Sequence, residues 1–516
     1  MRPELAIALI LAAGSAVAEP RFERRNAELS HQYTGGWEHF VGGGVAAFDC
    51  NGDDLPEVYA AGGENPASLL HNTTEGPGAT LDFTTETPPE LALTGVIGAY
   101  PLDIDGDGQL DLAILRVGEN RLLRGLDACR FEAFTGIEVA SGNGWTTAFS
   151  ATWEADQSLP TLAFGNYVDR DDPDGPFEAC DDHQLFRPEG DGYGSPQTLS
   201  PGFCTLSMLF TDWNRSGRAD LRVSNDRHYY VSGGAEQMWA MEATPRLFTE
   251  ADGWRDHHLW GMGIASRDLD GDGVPEVLLS SMGDQRLQSR LPGTTGPTYQ
   301  DAPYDRGTTA HRPFTGGDGR PSTGWHVAFG DVQNDGLDDI FIAKGNVEQM
   351  PDAAMDDPNN LLIQQTDGSF SEAGLNAGIA TLDRSRGAVL ADLNLDGLLD
   401  LAVVNRRAPI EIWQNVASQT GNWISLELGQ TAPNRRAVGS WIEVRTDGST
   451  QTREITIGGG HAGGSAVPEH FGLGEAEDAD VRVIWPDGAV SDWVEIGVNN
   501  RWKLLRDGGG LILTRH

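Results

Sequence analysis

Lysine is nearly missing from this chain. Only Lys344 and Lys503 occur among 36 basic residues, so almost all the positive charge is arginine, a bias with no functional reading at this level. Basic residues are also outnumbered: 77 acids against 36 bases give a formal net charge of −41. Such a surface repels nucleic acid and anionic lipid, so neither is expected as a partner. No long amphipathic helical pattern is visible. After the opening residues no apolar run reaches the length that spans a bilayer, so no membrane insertion is expected. No C-x-x-C pair, G-x-S-x-G elbow or H-E-x-x-H helix is present, which removes a cysteine zinc site and two common secreted hydrolase designs.

The opening "MRPELAIALILAAGSAVAEP" has one arginine, an apolar run from Leu5 to Ala13 and a small-residue site at Ala16-Val17-Ala18. That is the pattern of a cleaved signal, expected over residues 1–18, and it addresses the chain outside the cytoplasm, secreted or periplasmic. Arg2 and Glu4 leave together, so the net charge does not change. Four cysteines, Cys50, Cys129, Cys180 and Cys204, allow three complete pairings. An oxidising compartment favours a Cys180–Cys204 bridge, which closes a modest loop. Cys50 lies in an acidic loop, and Cys129 reads as a small buried hydrophobe.

Acidic loops recur along the chain. "LDIDGDGQLDLAIL" places Asp103, Asp105, Asp107 and Asp111 in nine positions and runs directly into an apolar strand. Left alone, these carboxylates repel one another. A hard divalent cation such as calcium gathers six to eight oxygens and suits them. The plainer reading is a solvated Asp/Gly turn, and repetition decides between the two. Copies begin at Asp49, Asp103, Asp212, Asp268, Asp331 and Asp392, and "WEADQSLPT" from Trp153 keeps the frame without the acids. Their starts step by 54, 50, 59, 56, 63 and 61 residues, giving seven units. Each continues into a short Val/Leu/Ile-rich run between Gly, Pro and Asn punctuation, as strands do. About four short strands per unit is the signature of a propeller blade, so a seven-bladed all-β propeller is expected over residues 19–420. The segment "HQYTGGWEHFVGGGVAAFD" is expected to help close the ring by lending a strand to the last blade.

These repeats resemble the FG-GAP or VCBS repeats of calcium-binding propellers, a family that includes integrin alpha-chain heads. The resemblance implies calcium held through positions 1, 3, 5 and 9 and the carbonyl of position 7. Carried over, loop one offers Asp49, Asn51, Asp53, Leu55 and Glu57, and loop two Asp103, Asp105, Asp107, Gln109 and Asp111. Loop four offers Asp212, Asn214, Ser216, Arg218 and Asp220, and loop five Asp268, Asp270, Asp272, Val274 and Glu276. Loop six offers Asp331, Gln333, Asp335, Leu337 and Asp339, and loop seven Asp392, Asn394, Asp396, Leu398 and Asp400. Up to six Ca2+ ions are thereby implied, weakest in loop four with its two carboxylates, and none in loop three. Loop one departs from the pattern with Asp54 where glycine is usual.

After the seventh unit the rhythm changes. Residues 422–496 alternate apolar and polar side chains, with turns at Asp447-Gly448 and Asp487-Gly488, and read as a small β-sandwich within a domain expected over 421–508. "GSWIEV", "GGGHAGGSA", "HFGLG" and "VRVIWPDG" resemble the ASPIC/UnbV domain. The order of the two parts resembles the cartilage acidic protein family of secreted proteins, whose animal members can carry an EGF-like module; no cysteine follows Cys204 to build one. His461 and His470 read as turn and edge histidines. His183, His228, His257, His258 and His326 are either blade packing or the lining of a pocket where propeller loops converge, with room for a second metal. The expectation is a monomeric, noncatalytic adhesion or binding scaffold presenting a loop face to an extracellular protein or glycan. The alternative is an enzyme, or an accessory to one, with its site at the central channel.

Overall fold

The computed structural model describes residues 18–155, 157–172, 179–226, 234–314, 318–446, 448–508 and 510–515. Residues 1–17 of the expected leader, His228, and Asp447 of the expected Asp447-Gly448 turn lie outside them. The protein is all-β: among the described residues the single α-helix is the one-turn Gly374–Ala377, and no helix is long and apolar enough to cross a membrane.

Seven four-stranded antiparallel sheets follow one another along the chain. Their first strands are Val45–Phe48, Val96–Leu102, Thr146–Thr152, Thr205–Thr211, Gly261–Arg267, Gly324–Gly330 and Arg384–Ala391. Each of these neighbours the first strand of the next sheet, and the last neighbours the first. First strands are almost wholly buried because they line the middle of the ring, while fourth strands such as Phe83–Thr85 keep one residue inside and expose the rest.

Strand Phe22–Arg25 pairs antiparallel with Glu411–Asn415 and becomes the outer strand of the last sheet. The lent strand therefore lies upstream of the segment expected to supply it. That segment instead crosses the seam, with Tyr33 bridging Arg406 of the last sheet and Thr34 bridging Gly63 of the first.

The C-terminal part forms two further four-stranded sheets. One joins Asn422–Gly429, Glu469–Gly474, Asn500–Asp507 and Gly510–Arg515; the other joins Trp441–Thr446, Ser449–Glu454, Asp478–Ile484 and Val494–Gly497. Between them lies an apolar core that includes Ile424, Ile442, Phe471, Val481, Trp485 and Leu504. Its last strand runs past residue 508 to Arg515.

This domain does not hang free. Its glycine-rich segment enters the middle of the ring and makes single β-bridges to five successive first strands: Phe48 to Ala466, Ala99 to Gly463, Ala151 to Ile457, Leu209 to Gly458 and Ile264 to Gly460. Close passage needs glycine on both sides. A Cβ at Gly98 would stand 1.5 Å from the carbonyl oxygen of Ala462, and Gly459 and Gly460 hold φ of 69° and 59°.

Two disulfides join Cys180 to Cys204 and Cys50 to Cys129. The first is the expected bridge. The second corrects the reading of Cys129 as a lone buried hydrophobe: the partners are 79 residues apart, and the Cys129 N–H bonds the Cys50 carbonyl where the outer edge of blade two meets loop one.

Candidate metal centres at the blade entrances

In every unit the acidic loop joins the first strand to the second, and position 9 is the first residue of that second strand: Glu57, Asp111, Asp220, Glu276, Asp339 and Asp400. Local hydrogen bonds shape the turn. The position 6 N–H donates to the position 1 carboxylate in all six acidic loops, from Asp54, Gly108, Gly217, Gly273, Gly336 and Gly397 at 2.7–3.1 Å. The position 2 N–H donates to the position 9 carboxylate in five of them, from Cys50, Ile104, Leu269, Val332 and Leu393. Positions 4 and 6 take positive φ, which is why glycine is frequent there and why Asp54, at 71°, is bent against its preference.

With the backbone wrapped in this way, the carboxylates face inward. Ligand oxygens of Asp103, Asp105 and Asp111 lie within 4.8 Å of one another, as do those of Asp268, Asp270 and Glu276. Burial, followed by repulsion among neighbours, lifts the most enclosed of these carboxyl groups above their ordinary range. Asp111 is pushed up to about 8 and Asp392 to about 7, while Asp339 and Asp400 stand well above the usual carboxylate values.

A hard cation fits this donor set. The converging carboxylates offer oxygens alone, and the buried Asp103 Oδ1 lacks a hydrogen-bond partner, as do the amide oxygens of Gln333 and Asn394. In loops one, six and seven the position 3 amide nitrogen donates to the position 5 carboxylate, Asn51 to Asp53, Gln333 to Asp335 and Asn394 to Asp396. A half-turn of each amide would present its oxygen instead.

Two loops differ. In loop four the indole of Trp213 donates to Asp220 at 2.8 Å, and Arg218 Nη2 lies 3.5 Å from the same carboxylate. In loop three Thr161 stands at position 9, and Glu154, at position 2, is paired with Arg187 at 2.8 Å. A guanidinium supplies positive charge there, as Arg124 does in loop two, where it pairs with Asp105 at 2.9 Å and Asp107 at 2.7 Å.

The same rim is where the C-terminal domain docks, and all six acidic loops meet it. Arg501 pairs with Asp54 at 3.3 Å, and Arg435 Nε donates to the Gly106 carbonyl. Glu454 accepts the Asp212 N–H at 2.7 Å, and Glu443 pairs with Arg215 at 2.8 Å. Loop five approaches the Thr450 carbonyl at Gly271. In loop six Asn334 Oδ1 lies 2.7 Å from His470 Nε2, and in loop seven Gly397 lies against the Trp423 ring.

The described histidines do not gather into one pocket. His183 reaches Thr205, His257 reaches Gln288 and His258 the Gly234 carbonyl, each in its own surroundings. His326 lies on the axis, where its Nδ1 accepts the His461 N–H at 3.1 Å. His461 lies in a bend, as expected of a turn residue, but is fully buried, with Nε2 accepting the Gly42 N–H and Nδ1 at 2.9 Å from the Met262 carbonyl. His470 is likewise buried, in the seam between domain and ring. A cavity of about 230 Å³ remains beside the axial segment, lined by His326, Arg453, Glu454 and Gly459 among others. The sequence had no signal for this meeting beyond the glycines themselves.

Comparison with known proteins agrees with the parts. The FG-GAP-like repeat family matches residues 49–114, and the ASPIC and UnbV family matches residues 430–510. Cartilage acidic protein 1 of Mus musculus is 26% identical over 244 residues, 46% of this chain and 35% of that protein. The Homo sapiens protein is 27% identical over 244 residues, with 46% and 34% covered. The chain thus spans about a third of the length of the curated relatives it matches. The solved structure of BBS1N in complex with ARL6DN superposes with a TM-score of 0.43 at 9% identity, covering 78% of this chain and 98% of that one. Acidic FG-GAP-like repeats followed by an ASPIC/UnbV domain make this chain a relative of the cartilage acidic protein family.

Proposed function

We propose that this is a secreted, calcium-binding β-propeller scaffold that presents a loop face to a protein or glycan partner and does no chemistry of its own. The observation that carries this reading is the filled axis. Where a propeller can gather loops around a substrate, this one holds its own residues 457–466. The acidic loops support the same rim, so calcium bound there would neutralise the buried carboxylates and fix the surface on which the C-terminal domain rests. The opposite rim, where the second strands end, is left to a partner. Two disulfides accord with an oxidising compartment.

The test is a protein and glycan array probed with the full chain in calcium and in chelator. Saturable binding that chelator abolishes is the expected result. Turnover of an ester, phosphoester or glycoside panel, lost in His326→Asn while the fold persists, would overturn the noncatalytic reading.

A further inference from the structure

Among the described residues, the buried cations of this protein are Arg222, Arg386, Arg406, Arg453 and one lysine, Lys344. A guanidinium stays protonated in proteins, whereas an amine can lose its proton and become a nucleophile. The exceptional residue is therefore the one whose chemistry differs.

Lys344 ends the second strand of blade six, Asp339–Lys344, and Asn360 begins the third, Asn360–Gln364. Lys344 Nζ is 3.0 Å from Asn360 Oδ1 and 3.1 Å from Asp357 Oδ1, and the side chains of Lys344 and Asp357 are wholly enclosed. Asp357 is held in place by the Ser322 hydroxyl at 2.8 Å and the Thr323 N–H at 2.6 Å. The amide nitrogen of Asn360 points the other way, donating to Glu372 Oε1 at 3.3 Å. An amine, a carboxamide and a carboxylate thus meet in a site that water does not enter, with a second carboxylate beside the nitrogen that would leave.

We propose that Lys344 Nζ and Asn360 Cγ become joined by an isopeptide bond that the folded protein forms itself, with Asp357 as the proton acceptor. Asp357 takes one proton from the ammonium, and the freed lone pair attacks Cγ, which is bonded to the oxygen Nζ already contacts. A second proton passes from Nζ to Nδ2 as the Cγ–Nδ2 bond breaks. Ammonia leaves past Glu372 and carries off the proton held by Asp357, so one ammonium and one carboxamide give one secondary amide and one ammonium ion. No oxidant or other reactant is needed. Burial and the neighbouring carboxylate act in opposite directions on the amine, with burial the larger, so its pKa is lowered. Enclosure holds the reacting groups together for the life of the fold, which allows a slow step to complete.

Peptide mass spectrometry of the full purified chain tests this. Trypsin is expected not to cut after Lys344, and the peptide carrying Lys344 and Asn360 should be lighter than its sequence by one ammonia. A further cut after Glu348, between the two residues, should leave its halves joined. Asn360→Ala should restore tryptic cleavage after Lys344, and Asp357→Asn should leave the peptide linear while calcium-dependent folding persists. A linear peptide ending at Lys344 in the native chain would overturn the proposal. A link from Lys344 to Asp357 with loss of water would overturn it equally. The native chain alone distinguishes these outcomes, so a variant that fails to fold leaves the test intact.

Discussion

Blade three and blade seven open their second strands at the same place in the repeat and treat charge there by opposite means. In blade seven, Asp392, Asp396 and Asp400 sit together with raised carboxyl pKa values, the result of burial first and then, for Asp392 and Asp400, mutual repulsion. In blade three the position 1, 3 and 5 acids are replaced by Trp153, Ala155 and Gln157, position 9 is a threonine, and Glu154 rests on Arg187. Thr161 opens its strand as Asp400 does, but Ser158 at position 6 lacks the positive φ that Gly397 holds at 86°. A strand entrance in this frame therefore does not need the acid cluster. Buried acids call for positive charge, which a guanidinium supplies to Glu154 and which a divalent cation could supply to Asp392, Asp396 and Asp400.

Four measurements put this contrast between the two blades at risk. Chelation should act most strongly. An ion held at one hundred times its Kd stabilises by about 2.7 kcal/mol per site, so the thermal midpoint of the full chain should fall by many degrees in chelator and recover with calcium. No change would end the metal reading for blade seven and leave blade three as the rule.

Next is Asp400→Asn, which removes charge but keeps a hydrogen-bond acceptor. In calcium it should lose most of one site's contribution, about 2–3 kcal/mol. In chelator it should be neutral or stabilising, because one repelling charge has gone. Thermal unfolding in both conditions reads the crossing, and equal loss in both would mean a purely structural role. Arg187→Met is the counterpart in blade three. Glu154 would keep the Thr161 hydroxyl, so the loss should be about 1.5 kcal/mol, and the same with and without calcium.

The last and weakest effect concerns the axis, where no acid cluster lies. Burial holds His326 down to about 4 and His461 down to about 3. Both are neutral in the folded chain and protonate near 6.5 when unfolded, so their stability contribution is complete above pH 6.5 and is lost as pH falls towards 4 and 3. From pH 7 to pH 6 the loss should be on the order of 1 kcal/mol. His461→Asn should flatten the slope in a calcium-saturated pH series.

The loops were legible because all their donors lie within nine consecutive residues, with the glycines that permit the turn between them. Asp103 to Asp111 and Asp392 to Asp400 each announce an acidic turn at a strand entrance by local spacing alone. The departure of loop four was visible at Ser216, although the indole that donates to Asp220 was not. Cys50–Cys129 was missed because nothing local to either residue points across 79 positions. The histidine pocket failed for the same reason: His183, His257 and His326 are similar in sequence context, and only packing assigns each a separate partner.

A short stretch of chain can specify a great deal through its own backbone, and here it specifies the strand entrances, their acids, their repetition and the change of rhythm at the C-terminal domain. Where that domain goes is settled by packing across the whole molecule. Gly458 to Gly464 read as a flexible turn in isolation, yet they run down the ring because bare backbone passes where the first strands nearly touch. Such a fit depends on the distances among five separate strands, and no local pattern of residues encodes those distances.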